Sequence, residues 1–270
     1  MITRCGILDE SKIYSYIGLD YPRCLYLYLD LKKYGFESET TKIYIQYDNG
    51  LITAVLLKYY SCLHVFSKDN SFNPNELASF IREHRFTIIY CPANTAEIVY
   101  SYLYKEINME IILTTGWVAQ IKKIDMEPRR ISKSANCSDF SQIAKLIYDD
   151  KDIGRAYRFD ELTKQLEERY VEGYSRNYVI KDEDVVIAHA CTNAENERIA
   201  VVAELLVRKE YRRQGYAKEI WRDICDRLLT EGKEVYSFYY SEESRSLHKK
   251  IGFKEICRWG KVVISYCRKV

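Results

Sequence analysis

The sequence predicts a mixed α/β (α+β) fold in two similar halves, each a mostly antiparallel sheet flanked by helices. Two hairpin signatures recur 135 residues apart, half of the 270-residue chain, and a helical pattern precedes each of them. Between them, around residues 124–130, runs the charged, proline-broken segment Ile124-Asp125-Met126-Glu127-Pro128-Arg129-Arg130. Such a segment marks a boundary near residue 127, giving domains 1–127 and 128–270.

The first hairpin is Ile43-Tyr44-Ile45-Gln46-Tyr47, then Asp48-Asn49-Gly50, then Leu51-Ile52-Thr53-Ala54-Val55. Asn-Gly supplies the positive φ angles of a tight turn, and β-branched and aromatic residues favour the strands on either side. The second hairpin is Tyr178-Val179-Ile180-Lys181, then Asp182-Glu183-Asp184, then Val185-Val186-Ile187-Ala188-His189. Helical spacing precedes them over 24–34 and 161–174. The second half otherwise reads as a strand near Arg130, helices over 139–148 and 160–173, and a strand over Ile199–Val207. A helix over 215–230, a strand over Glu234–Tyr239 and a short helix over Glu242–Ile251 follow. Two closing strands, 253–257 and 261–267, end the chain. Antiparallel hairpins mixed with helices exclude a doubly wound parallel sheet.

Composition narrows the function. Hydrophobic residues at 47% and charged residues at 30% exclude wholesale disorder. A net charge of +2 gives no global attraction to nucleic acid or to an acidic membrane. The longest apolar run, Leu51 to Leu57, contains Thr53 and falls far below the roughly 20 residues that span a bilayer. No secretory leader is expected at Met1, and the nine cysteines are scattered without a C-x-x-C pair. Reduced, buried thiols in a cytoplasmic protein are the expectation. His64, His84 and His189 share no ligand spacing, so no metal is expected. Neither a G-x-S-x-G elbow, a P-loop nor a G-x-G-x-x-G fingerprint occurs.

The most informative stretch is Glu204-Leu205-Leu206-Val207-Arg208-Lys209-Glu210-Tyr211-Arg212-Arg213-Gln214-Gly215-Tyr216-Ala217-Lys218. An apolar strand runs into a short polar loop that opens into a helix with Ala217, Ile220, Trp221, Ile224 and Leu228 on one face. A helix start exposes about four unpaired N–H groups, and its dipole favours an anion. Gly215 lets a ligand approach the backbone, while Arg212, Arg213 and Lys218 add positive charge. The pattern fits a phosphate or pyrophosphate site; it equally fits an ordinary basic surface loop.

Arg212-Arg213-Gln214-Gly215-Tyr216-Ala217 resembles the Q/R-x-x-G-x-G/A signature of the GNAT superfamily of N-acetyltransferases, and Val207-Arg208-Lys209-Glu210-Tyr211 resembles its usual approach. Downstream, Ser244-Arg245-Ser246-Leu247-His248-Lys249-Lys250-Ile251-Gly252-Phe253 resembles the family's helix ending in Tyr-x-x-x-Gly-Phe. The resemblance covers residues 128–270; over 1–127 it extends through the repeat to a degenerate GNAT-like half without the cofactor motif. It implies two tandem GNAT-like domains with a central mixed sheet, and an acetyl-CoA-dependent N-acetyltransferase acting on a small-molecule or peptide amine. Arg212, Arg213, Gln214, Gly215, Tyr216, Ala217 and Lys218 would hold the coenzyme A pyrophosphate, with Ser244 nearby. Backbone groups of Leu205, Leu206 and Val207 would pair with the pantetheine arm. The N-terminal half would bind no coenzyme A and would support a homodimer or shape the acceptor cleft.

The departures from the family pattern bear on catalysis. His248 stands where the family has tyrosine, and Ser241 where it has asparagine. A histidine near neutrality can protonate a departing thiolate; otherwise His248 packs structurally, and Tyr239 or Tyr240 is the acid. Ser241 ahead of Glu242 and Glu243 suits an N-cap. Glu204, a carboxylate amid Val202, Ala203, Leu205 and Leu206, is the candidate general base, unless strand alternation turns it outward. The altered acid position makes a catalytically silent acyl-CoA sensor or scaffold the alternative reading.

Overall fold

The computed structural model describes residues 1–39, 41–104, 109–151 and 159–266. The chain divides into two compact units, Met1–Val118 with the segment from Ile256, and Ala119–Glu255. The division falls earlier than residue 127, and the closing strand joins the first unit. Residues 122–132 are irregular, as their proline and charge suggest, but the packing of apolar faces decides where each unit closes.

In the first unit β1 (Ile2–Arg4) leads through α1 (Glu10–Ile17) and α2 (Leu25–Tyr34) to β2 (Thr41–Asp48) and β3 (Leu51–Tyr59). Next come β4 (Cys62–Phe66), α3 (Pro74–Glu83), β5 (Ile88–Pro92), α4 (Ala93–Leu103) and most of β6 (Met109–Ile121). Strands β1 to β4 pair antiparallel, and β4 pairs with β5 in parallel. Asn49 and Gly50 both take positive φ in the β2–β3 turn, as the Asn-Gly pair dictates. Alternation on β3 sends Val55 and Leu57 to the α1–α2 side and Ala54 and Leu56 to the α3–α4 side, so both faces of the sheet are covered.

The second unit repeats this order. β7 (Lys133–Ser134) stands in place of the strand expected near Arg130 and leads to α5 (Phe140–Tyr148) and α6 (Phe159–Val171). The hairpin of β8 (Asn177–Asp182) and β9 (Val185–Glu195), then β10 (Ile199–Val207), α7 (Tyr216–Thr230), β11 (Glu234–Tyr239) and α8 (Glu242–Ile251) follow. β7 to β10 are antiparallel and β10–β11 is parallel. α5 and α6 cover one face with Phe140, Ile143, Ile147, Leu162 and Leu166. Residues Ile220, Trp221, Ile224 and Leu228 of α7 are fully buried, as their spacing predicts. Among the described residues no helix is long and apolar enough to cross a membrane, and all eight described cysteines are free thiols.

The two closing strands expected at 253–257 and 261–267 are one continuous strand, β12 (Lys254–Tyr266); residue 267 lies outside the described residues. Gly260, between the two expected strands, serves close packing. β12 pairs with β5 through Trp259 opposite Pro92 and Gly260 opposite Cys91. A Cβ on Gly260 would lie 2.3 Å from the Ala96 Cβ and 3.4 Å from the Ala93 Cα of α4. Gly260→Ala should therefore destabilise the first unit by about 1–3 kcal/mol, with much of the loss recovered in the Gly260→Ala, Ala96→Gly double variant. Denaturant unfolding of the four members of that cycle checks it, and additive losses would overturn the contact.

Candidate functional site

The site grows from a disturbance in β10. Ile199–Val202 pairs in parallel with Glu234–Ser237 of β11, and the paired register ends at Val202 and Ser237. On the β9 side Ala203 faces Cys191 but Leu206 faces His189, so β10 has one residue more than its neighbour over this stretch. Glu204 takes φ of +54°, the strained left-handed region for a side-chain-bearing residue, and forms the bulge. Bulging turns Glu204 out of strand alternation. The strands part here, and backbone groups of Leu205 to Val207 have no ladder partner on the β11 side among the described residues. An extended ligand with amides of its own could complete that ladder.

Beyond Val207 the loop is fixed by its own polar groups. Arg208 N–H donates to Ile187 O at 2.8 Å, and its Nε to Val186 O at 2.6 Å. Arg212 Nε returns to Val207 O at 3.0 Å, Gln214 Nε2 donates to Glu210 O, and Tyr211 Oη donates to Asp182 at the hairpin tip. Arg213 and Gly215 both have positive φ, and Gly215 is the N-cap of α7 with no side chain to satisfy the helix start. The first amide to find a carbonyl is Glu219 N, on Gly215 O at 3.1 Å. Among the described residues no group of the chain accepts from the amides of Arg213 to Lys218. Apart from its immediate chain neighbours, no described residue lies within 4 Å of where a Gly215 Cβ would stand. Free amides in a concave turn, open space and the cations Arg212, Arg213 and Lys218 suit a diphosphate.

The corresponding turn of the first unit is closed to an anion. Asn73 Oδ1 accepts from Asn75 N at 3.1 Å and from Glu76 N at 3.2 Å, so the start of α3 is capped from within. Glu76 sits in that first turn, accepting from Ile2 N at 2.6 Å and pairing with the Met1 ammonium at 3.0 Å. An incoming phosphate would meet a carboxylate instead of amides.

The candidate catalytic groups differ in what they can do. Glu204 is partly buried, and burial pushes its carboxyl above the ordinary range, with Arg169 and the Cys191 thiol pulling the other way. Cys191 Sγ donates to its Oε2 at 3.5 Å. A raised carboxyl at the bulge suits proton transfer. His248 is another matter, because it is only 5% exposed. Its Nδ1–H donates to Ser244 O at 2.6 Å, and its Nε2 accepts from Ser237 Oγ at 2.8 Å. Trp221, Tyr239 and Phe253 surround the ring. Burial holds its pKa down at about 4, leaving a neutral imidazole with both nitrogens engaged.

Tyr239 is buried and donates to Glu255 Oε1 at 3.0 Å, while Arg245 holds the same carboxylate. Burial and Glu255 keep its phenol well above the usual range. Tyr240, the residue after β11, is 51% exposed. Ser241 caps α8 by accepting from Ser244 N at 3.1 Å, as expected. Ser244 spends its amide and hydroxyl on Ser241 and its carbonyl on His248, so it braces α8 from inside.

Residues 142–253 match the model of the Acetyltransferase (GNAT) family. Among solved structures, a GCN5-related N-acetyltransferase-like protein from Streptococcus suis 89/1591 superposes with a TM-score of 0.62 at 14% identity, over 97% of this chain and 100% of that one. A GNAT-family acetyltransferase from Colwellia psychrerythraea gives 0.59 at 13% identity, over 98% and 100%. A tandem GNAT protein from the clavulanic acid biosynthesis pathway gives 0.57 at 10% identity, over 98% of each chain. At such identities the likeness establishes the fold, and it runs through both halves. A search of curated proteins returns no match.

The His248 geometry has a pH signature. Its folded pKa, about 4, lies below the ordinary 6.5, so the unfolded chain takes up the proton first and stability falls as pH drops from 6.5 to 4. This residue accounts for on the order of 2–3 kcal/mol of that loss. Urea unfolding across this range should be flatter by that amount in His248→Phe than in the wild type, whatever the variant's baseline. Parallel curves would overturn the buried, neutral assignment.

Proposed function

From a chain whose residues 142–253 are a GNAT acetyltransferase domain, and which is therefore an acyltransferase, we propose an acetyl-CoA-dependent N-acetyltransferase with one active site, in the second unit, acting on a primary amine. The observation that carries this reading is the run of unpartnered amides from Arg213 to Lys218 at the start of α7, directly after the parted strands. The amides and the Arg213 and Lys218 side chains would bind the diphosphate, with Arg212, Gln214 and Gly215 shaping the turn. Backbone groups of Leu205, Leu206 and Val207 would hold the pantetheine arm as an added strand. Coenzyme A, when bound, supplies the acyl group as an activated thioester.

The chain's own residues supply proton transfer and polarisation. A β10 N–H released by the bulge at Glu204 would stabilise negative charge on the acyl oxygen. Glu204 would take a proton from the attacking amine, directly or through a water. Tyr240, at the end of β11 where the strands have parted, would return a proton to the thiolate sulfur. His248 would orient this region by tying β11 to α8 through Ser237 and Ser244.

Two measurements test the reading. Calorimetry with coenzyme A should give one molecule per chain, and Gly215→Asp should weaken binding by on the order of 100-fold, about 2.7 kcal/mol, because it puts bulk and charge where the diphosphate sits. Two molecules per chain, or unaltered affinity in the variant, would sink the cofactor assignment. Tyr240→Phe should lower kcat by roughly 10²-fold at nearly constant acyl-donor affinity, while unchanged turnover would remove Tyr240 as the acid. Coenzyme A binding without transfer to any member of a broad amine panel would favour an acyl-CoA sensor.

A further inference from the structure

The bulge that shapes the acyl site also gathers three groups that no acyl-transfer step requires together. His189 and Cys191 are two residues apart on β9 and so lie on one face of the sheet. Cys191 stands opposite Ala203, and regular alternation would put Glu204 on the other face. The left-handed turn at Glu204 brings its carboxylate to 3.5 Å from Cys191 Sγ instead. Ligand atoms of His189, Cys191 and Glu204 all lie within 4.8 Å of one another. The two β9 residues are buried, while Glu204 is partly exposed and leaves an approach from one side.

The histidine carries the second observation. His189 is fully buried, and its Nε2–H donates to Asn177 Oδ1 at 2.9 Å. With Nε2 so engaged, Nδ1 makes no hydrogen bond among the described residues, while the Glu204 backbone lies beside the ring. A buried acceptor without a partner costs free energy. An imidazole with one nitrogen held by an amide oxygen, within 4.8 Å of a thiol and a carboxylate, is the arrangement of a metal ligand with its supporting shell.

We propose that His189, Cys191 and Glu204 form a site for a thiophilic divalent cation of zinc's class, with Asn177 orienting the histidine. Nitrogen, sulfur and oxygen donors together select such an ion over calcium or magnesium. Three protein ligands leave a fourth, open position, which the exposed side of Glu204 can give to water. Tetrahedral zinc needs donors roughly 3.5 Å apart; the Cys191–Glu204 separation meets this, and His189 needs only a small shift. Binding would release the Cys191 proton to solvent, so that a thiolate and a carboxylate together neutralise the dication in a buried place. The individual signals in the sequence are only a His-x-Cys pair and a distant glutamate, since their meeting depends on the bulge.

The test needs neither acyl donor nor acceptor, and it separates this site from the transferase reading, because a Glu204 carboxylate bound to the cation would leave the amine proton to water. The metal-stripped full chain is titrated with Co2+ alone and followed by absorption spectroscopy. One equivalent should bind with a thiolate-to-cobalt charge-transfer band, which Zn2+ then displaces. Cys191→Ser should abolish the band, Glu204→Gln and His189→Gln should each weaken Co2+ at least tenfold, and Asn177→Ala should weaken it by about 10- to 100-fold. No saturable band, or a band of full intensity in Cys191→Ser, would overturn the site. Should Cys191→Ser lose its native circular dichroism, Glu204→Gln decides, and wild-type Co2+ affinity in that folded variant would overturn it equally.

Discussion

The constraint on which the rest depends is the parting of β10 from β11 after Val202 and Ser237. A sheet interior normally pairs every backbone donor and acceptor, because an unpaired group out of water costs free energy comparable to a lost hydrogen bond. Here the ladder stops within a buried strand, and the bulge at Glu204 holds the opening in place. The loop that follows is tied down through Arg208, Tyr211 and Arg212, so the amides before α7 are left over by a rigid loop and not by a frayed one. The strain at Glu204 belongs to the same economy, since a left-handed non-glycine residue persists only where its surroundings over-determine it.

The two units show how one topology diverges by capping chemistry. Both run strand, helices, hairpin, strand, helix, parallel strand, helix, and both place a helix start directly after the fourth strand of the unit. The decisive difference lies in the cap and first turn of that helix. Gly215 leaves its helix start open, while Asn73 fills its own with a side-chain oxygen and Glu76 adds a negative charge. A site can be erased without disturbing the fold, because the cap stabilises the helix on which the fold relies. This difference leaves the helix start of the second unit open to an anion and fills that of the first.

Local patterns were legible in the sequence, and long-range placement was not. β10, β11 and α8 fall within the bounds their periodicity and caps predict, Asn49-Gly50 turns as it should, and Ser241 caps its helix. The open turn at Gly215 was legible because helix starts and glycines carry their physics with them. The bulge was not, since Ala203, Glu204 and Leu205 contain no glycine, proline or turn residue to announce it. The continuity of β12 was not legible either: Gly260 lies inside the strand and admits a helix to close range. His248 looked reactive because histidine titrates near neutrality, and only its enclosure by Trp221, Tyr239 and Phe253 reveals that it is held neutral.

The membership of β12 in the first unit bears on how the molecule comes into being. Its strand partner β5 leaves the ribosome early, yet the residues from Trp259 to Val263 that pair with β5 arrive only after the whole second unit has been synthesised. Until then the edge of β5 and the apolar side of α4 have no permanent cover from that strand, a situation that invites chaperones or mispairing. The second unit is one contiguous segment, Ala119–Glu255, and can close first. Order of synthesis and order of completion thus run in opposite directions, and the second unit can be finished before the one that precedes it.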